Sequence, residues 1–317
     1  MALESTELHR NLFMLAFDQR GSFTSGLFGL DDAPTPEETA RIADAKRVIF
    51  EGLQLAVLDG VPVTSAGLLV DEQFGAEVAQ RASGDGYTLA MPVEKSGQKE
   101  FDFEYGDAFG EHIETFNPSY VKVLVRYNPE GDLAMNRIQV ARLARLASWL
   151  REHDRRLLFE LLVPAEPAQL EAVGGDRDRY DRELRPGLTR RTISELQAAG
   201  VEPEIWKVEG LDRREDYERV ALQARSAGRA EVACIILGRG ASDAQLENWL
   251  REEGGVAGFI GFAIGRTIWQ HALTDWLAGK LGHASASRTI ADNYLRMVDI
   301  YLRASAHVDS FSEQPTT

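Results

Sequence analysis

Residues 120–163 read YVKVLVRYNPEGDLAMNRIQVARLARLASWLREHDRRLLFELLV. Two short apolar runs, 120–125 and 157–163, flank a longer segment, 133–152, whose apolar residues recur at helical spacing. Short runs rich in valine, leucine and aromatic residues predict strands, and the periodic stretch between them predicts a helix. A strand, a helix and a second strand in that order make the repeating unit of a parallel sheet.

The same alternation extends outward in both directions. Further strands are predicted at 12–17 (LFMLAF), 63–70, 87–92, 204–208 (EIWKV), 232–237 (VACIIL) and 256–263. Helices are predicted at 37–58, 72–81, 107–116, 188–199, 212–227, from Ser242 to about residue 251, and at 267–281. Pro36 suits a first helical turn, Ser242 an N-cap, and Gly200 a C-cap. The stretch 164–186, rich in Asp and Arg, reads as a mobile loop or a loop with a short helix. A last amphipathic helix at about 287–304 precedes a polar tail.

Eight strands with helical connections predict an α/β fold: a single (β/α)8 TIM barrel over residues 1–306, with an extra C-terminal helix and a polar tail at 307–317. An open doubly wound sheet is the alternative. Such a sheet usually carries GxGxxG after its first strand, and DQRGS here does not. No linker, internal repeat or low-complexity segment interrupts the pattern outside the tail.

Composition narrows the function. The 317 residues include 50 acidic and 35 basic side chains, a formal charge of −15, so a polyanion is repelled and no nucleic-acid partner is expected. Cys234 is the only cysteine, which excludes an internal disulfide and suits a reducing cytoplasm. The N-terminus lacks the pattern of a secretory signal, and no run of about 20 apolar residues exists to span a membrane. A soluble cytoplasmic protein is expected, free or as a homo-oligomer.

In a barrel, chemistry collects at the C-terminal ends of the strands. Lys122, Glu160 and Lys207 each place a charge inside an apolar run, on strands 4, 5 and 6. Unpartnered buried charge is expensive, so these residues either meet inside the barrel or snorkel outward between helices. If they meet, an amine, a second cation and a carboxylate supply the parts for imine chemistry: a nucleophile, a group that lowers its pKa, and a proton shuttle. Zinc fits poorly, since the six histidines form no HxH or HxxxH pair. Spacing leaves a magnesium site of carboxylates open, but no metal and no cofactor is expected.

The strand ends add polar candidates. Strand 7 runs into Gly238-Arg239-Gly240 and strand 8 into Gly265-Arg266, each before a helix start, where phosphates commonly bind in barrels. Solvated arginines in ordinary turns are the plainer reading. Asp18, Gln19 and Arg20 follow strand 1 and suit substrate hydroxyls or a carboxylate.

Several of these segments carry a resemblance. LFMLAFDQRGSF (12–23), LLVDEQFG (68–75), PVEKSGQ (92–98), VKVLVRYNP (121–129), LLFELLVP (157–164), IWKVEG (205–210) and GFAIGRTIW (261–269) together span nearly the whole chain. They resemble the class I tagatose-bisphosphate aldolases, and still more the aldolase-like domain fused to the sugar kinase of myo-inositol catabolism. The resemblance implies that Lys207 forms an imine, that Glu160 is the strand-5 glutamate, that Lys122 is the second lysine and that Asp18 is the strand-1 aspartate. It also implies a carbon–carbon lyase whose substrate is 2-deoxy-5-keto-D-gluconate 6-phosphate, split to dihydroxyacetone phosphate and malonate semialdehyde. Arg20, Arg126 and Lys95 then become candidates for holding the sugar. A tagatose or fructose bisphosphate and a sulfofructose phosphate are alternative substrates, because this chain departs from the tagatose enzymes in loops such as 164–186. A non-catalytic sugar-phosphate sensor built on the same barrel is the alternative from another class.

Overall fold

A computed structural model describes residues 11–312. Eight parallel strands close into a barrel in sequence order: β1 Leu12–Ala16, β2 Ala66–Leu69, β3 Thr88–Pro92, β4 Tyr120–Arg126, β5 Leu157–Leu162, β6 Ile205–Glu209, β7 Ala233–Leu237 and β8 Phe259–Ile264. β1 pairs with β8, so no strand edge remains open. The open-sheet alternative is excluded.

The side-chain period of two sorts each strand. Leu12, Met14, Ala16, Leu69, Ala90, Leu158, Ile205, Ala233, Ile235 and Ala263 form a compact apolar cluster of their own, drawn from strands all round the barrel. These residues fill the lumen. Their outward neighbours, among them Phe13, Val121, Phe159, Trp206 and Phe262, pack against the helices. Gly261 permits the closure between β8 and β1, because a Cβ there would lie 2.3 Å from the Leu12 carbonyl oxygen.

The helices start where their chemistry dictates. α1 spans Gly21–Phe28, and α2 spans Pro36–Leu58 behind a capping box of Thr35 and Glu38. Asp71 caps α3 (Glu72–Gly84), and α4 follows at Phe109–Phe116. Asp132 caps α5 (Leu133–Glu152). Segment 164–186, expected as a mobile loop or a loop with a short helix, is more helical than that. It holds α6 (Pro167–Ala172) and α7 (Arg177–Arg179), then a π-turn over Tyr180–Leu184 that runs into α8 (Arg185–Ala198). Tertiary contacts explain the difference: Tyr180 donates to the Val163 carbonyl at 2.9 Å, and the buried Arg185 donates to the Gly210 carbonyl at 2.9 Å. α9 (Arg214–Ala224), α10 (Asp243–Glu253) and α11 (Arg266–Leu277) complete the connections.

The extra C-terminal helix, α12, spans His283–Ser312 and is longer than the 287–304 expected. It crosses the outside of β1 and β8, where the Tyr294 hydroxyl donates to the Phe13 carbonyl at 2.7 Å. It leans on α2 where Gly52 leaves room for Ile290. The tail expected at 307–317 therefore begins as helix, and its last residues, 313–317, lie outside the described residues. α1 had no counterpart in the sequence pattern, and β2 is shorter than the 63–70 expected. No described helix is long and apolar enough to cross a membrane.

Candidate active site

The C-terminal ends of β1, β3, β4, β5 and β6 send charged side chains into the lumen above its apolar plug. Lys122 lies two pleats before the end of β4, with Pro92, the last residue of β3, as its register partner. Glu160 pairs with Leu124 on one side and with Lys207 on the other. Asp18 and Glu94 continue the inward alternation just past β1 and β3. All five side chains are buried, Lys122 to 1% exposure and Lys207 to 3%.

Their contacts form one chain. Lys122 Nζ donates to Asp18 Oδ2 at 2.8 Å and to Glu94 Oε1 at 2.6 Å, and lies 3.1 Å from Glu160 Oε2. The other oxygen of Glu160 lies 3.0 Å from Lys207 Nζ. The expectation that Lys122, Glu160 and Lys207 meet inside the barrel therefore matches this geometry. Glu160 takes one lysine on each oxygen, and Lys122 has three carboxylates around it.

Burial and charge work against each other at every member. Burial alone would raise the Asp18 carboxyl, but Lys122 and then Lys207 outweigh it and hold Asp18 below its ordinary value. The same balance, burial against Lys122 and Lys207, leaves Glu160 lowered. Lys122 is held above its ordinary value, because Asp18, Glu160 and Glu94 together overcome its burial. Glu94 goes the other way. Its burial dominates, the attraction of Lys122 is smaller, and the neighbouring Asp18 charge adds to the rise.

Two further residues hold this cluster in place. Lys46 of α2 is fully buried beneath it, pairs with Asp71, and donates to the carbonyls of Phe17 (2.7 Å) and Gln19 (3.1 Å). It thereby ties down the strand end that carries Asp18. Arg20 donates to the Glu94 carbonyl at 2.5 Å and to Glu104 at 2.8 Å, clasping the loop after β3. Arg20 is thus engaged within the protein.

A cavity of about 450 Å³ opens over the cluster, with Asp18, Gln19, Glu94, Lys122, Arg126 and Glu160 in its wall. Arg126 donates to the Gln98 carbonyl at 2.9 Å, and Lys95 lies exposed at the rim. Lys207 is not in this wall and meets it through Glu160. The turns after β7 and β8 also lie outside the wall. They do approach one another, since a Cβ on Gly240 would sit 3.0 Å from Arg266 Nη2. Arg266 is exposed, Gly238 is buried, and Gly265 is required because a Cβ there would lie 2.3 Å from the Ala16 carbonyl oxygen. Arg239, expected to hold a phosphate, has its guanidinium 2.8 Å from Asp181 and 2.9 Å from Glu209.

Sequence reasoning missed Glu94, Glu209 and Lys46. The signal for Glu94 is present in PVEKSGQ, two residues past inward-facing Pro92, where the alternation of β3 continues. Glu209 likewise follows Lys207 by two. Nothing local marks Lys46, whose partners lie 25 to 29 residues away.

Solved structures share this architecture. An archaeal fructose-1,6-bisphosphate aldolase, with its catalytic Lys covalently bound to the carbinolamine intermediate of the substrate, aligns with TM-score 0.54 at 14% identity, over 92% of this chain and 98% of that one. The fructose-bisphosphate aldolase of Slackia heliotrinireducens aligns with TM-score 0.53 at 14% identity, over 99% of this chain and 90% of that one. The YdjI aldolase of Escherichia coli K12 aligns with TM-score 0.51 at 10% identity, over 94% of each chain. At such identities the likeness establishes a shared barrel. No protein of curated function matches the sequence. A family model described as "Uncharacterized protein conserved in bacteria (DUF2090)" matches residues 3–305, and the chain accordingly belongs to that bacterial family.

Proposed function

We propose that the protein is a class I aldolase that cleaves a phosphorylated keto sugar through a Schiff base on Lys207. The observation that carries this reading is the buried Lys207 ammonium 3.0 Å from Glu160, on adjacent strands at the catalytic end of a barrel. A lysine so placed stands buried on a barrel strand with a proton acceptor in contact, the arrangement a nucleophilic amine needs. The three carboxylates converge on the Lys122 ammonium. The resemblance noted in the sequence and the aldolase barrels among the structural relatives point the same way.

In this mechanism Lys207 attacks the ketone carbon. Glu160 takes one proton from the Lys207 ammonium to free its lone pair and a second from the nitrogen after attack, and passes both in turn to the ketone oxygen, which leaves as water and gives an iminium. The iminium withdraws the electron pair of the carbon–carbon bond one carbon away, and an enamine results. Asp18 orients a substrate hydroxyl and Lys122 holds a substrate oxygen. The phosphate rests on the Gly265 turn with Arg266.

For the substrate we propose 2-deoxy-5-keto-D-gluconate 6-phosphate. Its far end is a carboxylate, and Arg126 in the cavity wall and Lys95 at the rim offer cations of the right kind. The test runs this sugar phosphate, a ketohexose bisphosphate and sulfofructose phosphate in parallel for dihydroxyacetone phosphate release, with borohydride trapping. Trapping that survives in Lys207→Met would refute the imine assignment. Preference for a bisphosphate would refute only the substrate. Binding without turnover of any of the three would favour the sensor.

A further inference from the structure

The aldolase reading asks for two separate proton transfers, and the cluster holds one carboxyl with no assigned task. Imine formation needs a proton carrier in contact with the Lys207 nitrogen. Carbon–carbon cleavage needs another at the hydroxyl beyond the breaking bond. Glu160 serves the first position, and both of its oxygens are committed, one to Lys207 and one to Lys122.

Glu94 is built differently. It is 94% buried by its 6% exposure, it stands in the cavity wall, and its Oε1 accepts from Lys122 at 2.6 Å. Its Oε2 is buried and has no hydrogen-bond partner among the described residues. An unsatisfied buried carboxyl oxygen is costly, so its position calls for a polar group to arrive there. Its backbone cannot swing away, because Arg20 grips the Glu94 carbonyl and the Glu94–Phe103 bridge closes the loop behind it.

Resting on the aldolase reading, we infer that Glu94 is a second catalytic residue, the acid–base group of the carbon–carbon bond step. In cleavage, Glu94 Oε2 takes the proton of the substrate hydroxyl. The O–H electron pair becomes the carbonyl bond of the departing aldehyde, the carbon–carbon bond breaks, and its pair moves into the iminium to give the enamine. In synthesis the neutral carboxyl returns that proton to the aldehyde oxygen as the enamine carbon attacks. The electrostatics support this division of labour. Two ammoniums face three carboxylates, and Glu94, the member whose carboxyl is raised while Asp18 and Glu160 are lowered, is the one that carries a proton most readily.

The experiment separates the two proton transfers. Dihydroxyacetone phosphate alone reports imine formation by borohydride trapping, and enamine formation by deuterium exchange at carbon. Malonate semialdehyde or glyceraldehyde 3-phosphate, supplied with it, reports bond formation. Glu94→Gln should keep trapping and exchange while bond formation falls by about 10²–10⁴-fold. Glu94→Asp, which also serves if the Gln variant does not fold, should keep exchange, restore part of the addition rate and shift its pH profile. Addition at the parental rate with an unchanged pH profile would overturn the assignment. So would loss of trapping in step with addition, which would mark Glu94 as a support for Lys122 and Asp18 only. A parent that neither traps nor exchanges defeats the aldolase reading itself, and the Glu94 role with it, an outcome visible before any variant is made.

Discussion

Lys207 and Glu160 are register partners in the β5–β6 ladder, and the Lys207 Nζ lies 3.0 Å from Glu160 Oε1. Paired residues on neighbouring parallel strands point to the same face, so the barrel itself aims both side chains inward. A slip of one residue in either strand would send one of them into the helix layer. The contact is therefore a property of the sheet register, and the chemistry proposed at Lys207 inherits its geometry from the fold.

Lys122 is the charge that makes the cluster stable. Lys122→Met leaves Asp18, Glu94 and Glu160 buried together without the cation they share, which should cost about 3–5 kcal/mol at neutral pH. In the parent, Asp18 and Glu160 are lowered, so their contribution is present above their unfolded pKa values and is lost as pH falls. Without Lys122 those carboxyls rise, and protonation relieves the repulsion. Melting at pH 5 and pH 8 should show a smaller deficit at pH 5. A deficit that is equal at both would contradict the electrostatic account.

Lys46→Met removes the cation that pairs with Asp71 and holds the Phe17 and Gln19 carbonyls. Breaking one partner of a buried pair should destabilise the fold by about 3–5 kcal/mol in urea titrations. Removing both charges should be milder, so Lys46→Met with Asp71→Asn should recover part of the loss. If the double variant is no more stable than Lys46→Met, the Asp71 charge is not what the single change strands.

Glu253, at the end of α10, is fully buried and forms no ion pair among the described residues. Burial raises its carboxyl well above the ordinary value. The folded state therefore keeps a proton that the unfolded chain releases. Its contribution is complete below the unfolded carboxylate pKa and is lost as pH rises toward the folded one. Glu253→Gln should flatten that decline, so the variant should gain on the parent between mildly acidic and alkaline pH. Parallel pH–stability curves would refute this.

Arg266 and Arg239 lie on adjacent turns but have different surroundings. Arg266→Ala should weaken a phosphorylated ligand by about 10- to 100-fold, the loss of one charge-assisted contact. Arg239→Ala should leave that affinity near the parental value, because its guanidinium is held by Asp181 and Glu209. Its cost should appear as a lowered melting temperature. Calorimetric titration with dihydroxyacetone phosphate distinguishes the two, and equal losses would place both arginines on the phosphate.

The barrel and four of the five clustered charges are legible in the sequence. Eight apolar runs separated by helical periods leave few topologies, and Lys122, Glu160 and Lys207 stand out because a charge inside such a run must find a partner. Tertiary structure decided what those charges do. That Glu160 bridges both lysines, and that Glu94 joins them, follows from the register of β3 through β6, which no single strand encodes. Arg20 and Arg239 looked free for a ligand in the sequence. Folding gave them Glu104 and Asp181, 84 and 58 residues away, and a buried or half-buried guanidinium takes the nearest carboxylate. Segment 164–186 became helical for the same reason: its polar residues satisfy carbonyls at the ends of β5 and β6 that exist as neighbours only once the barrel has closed.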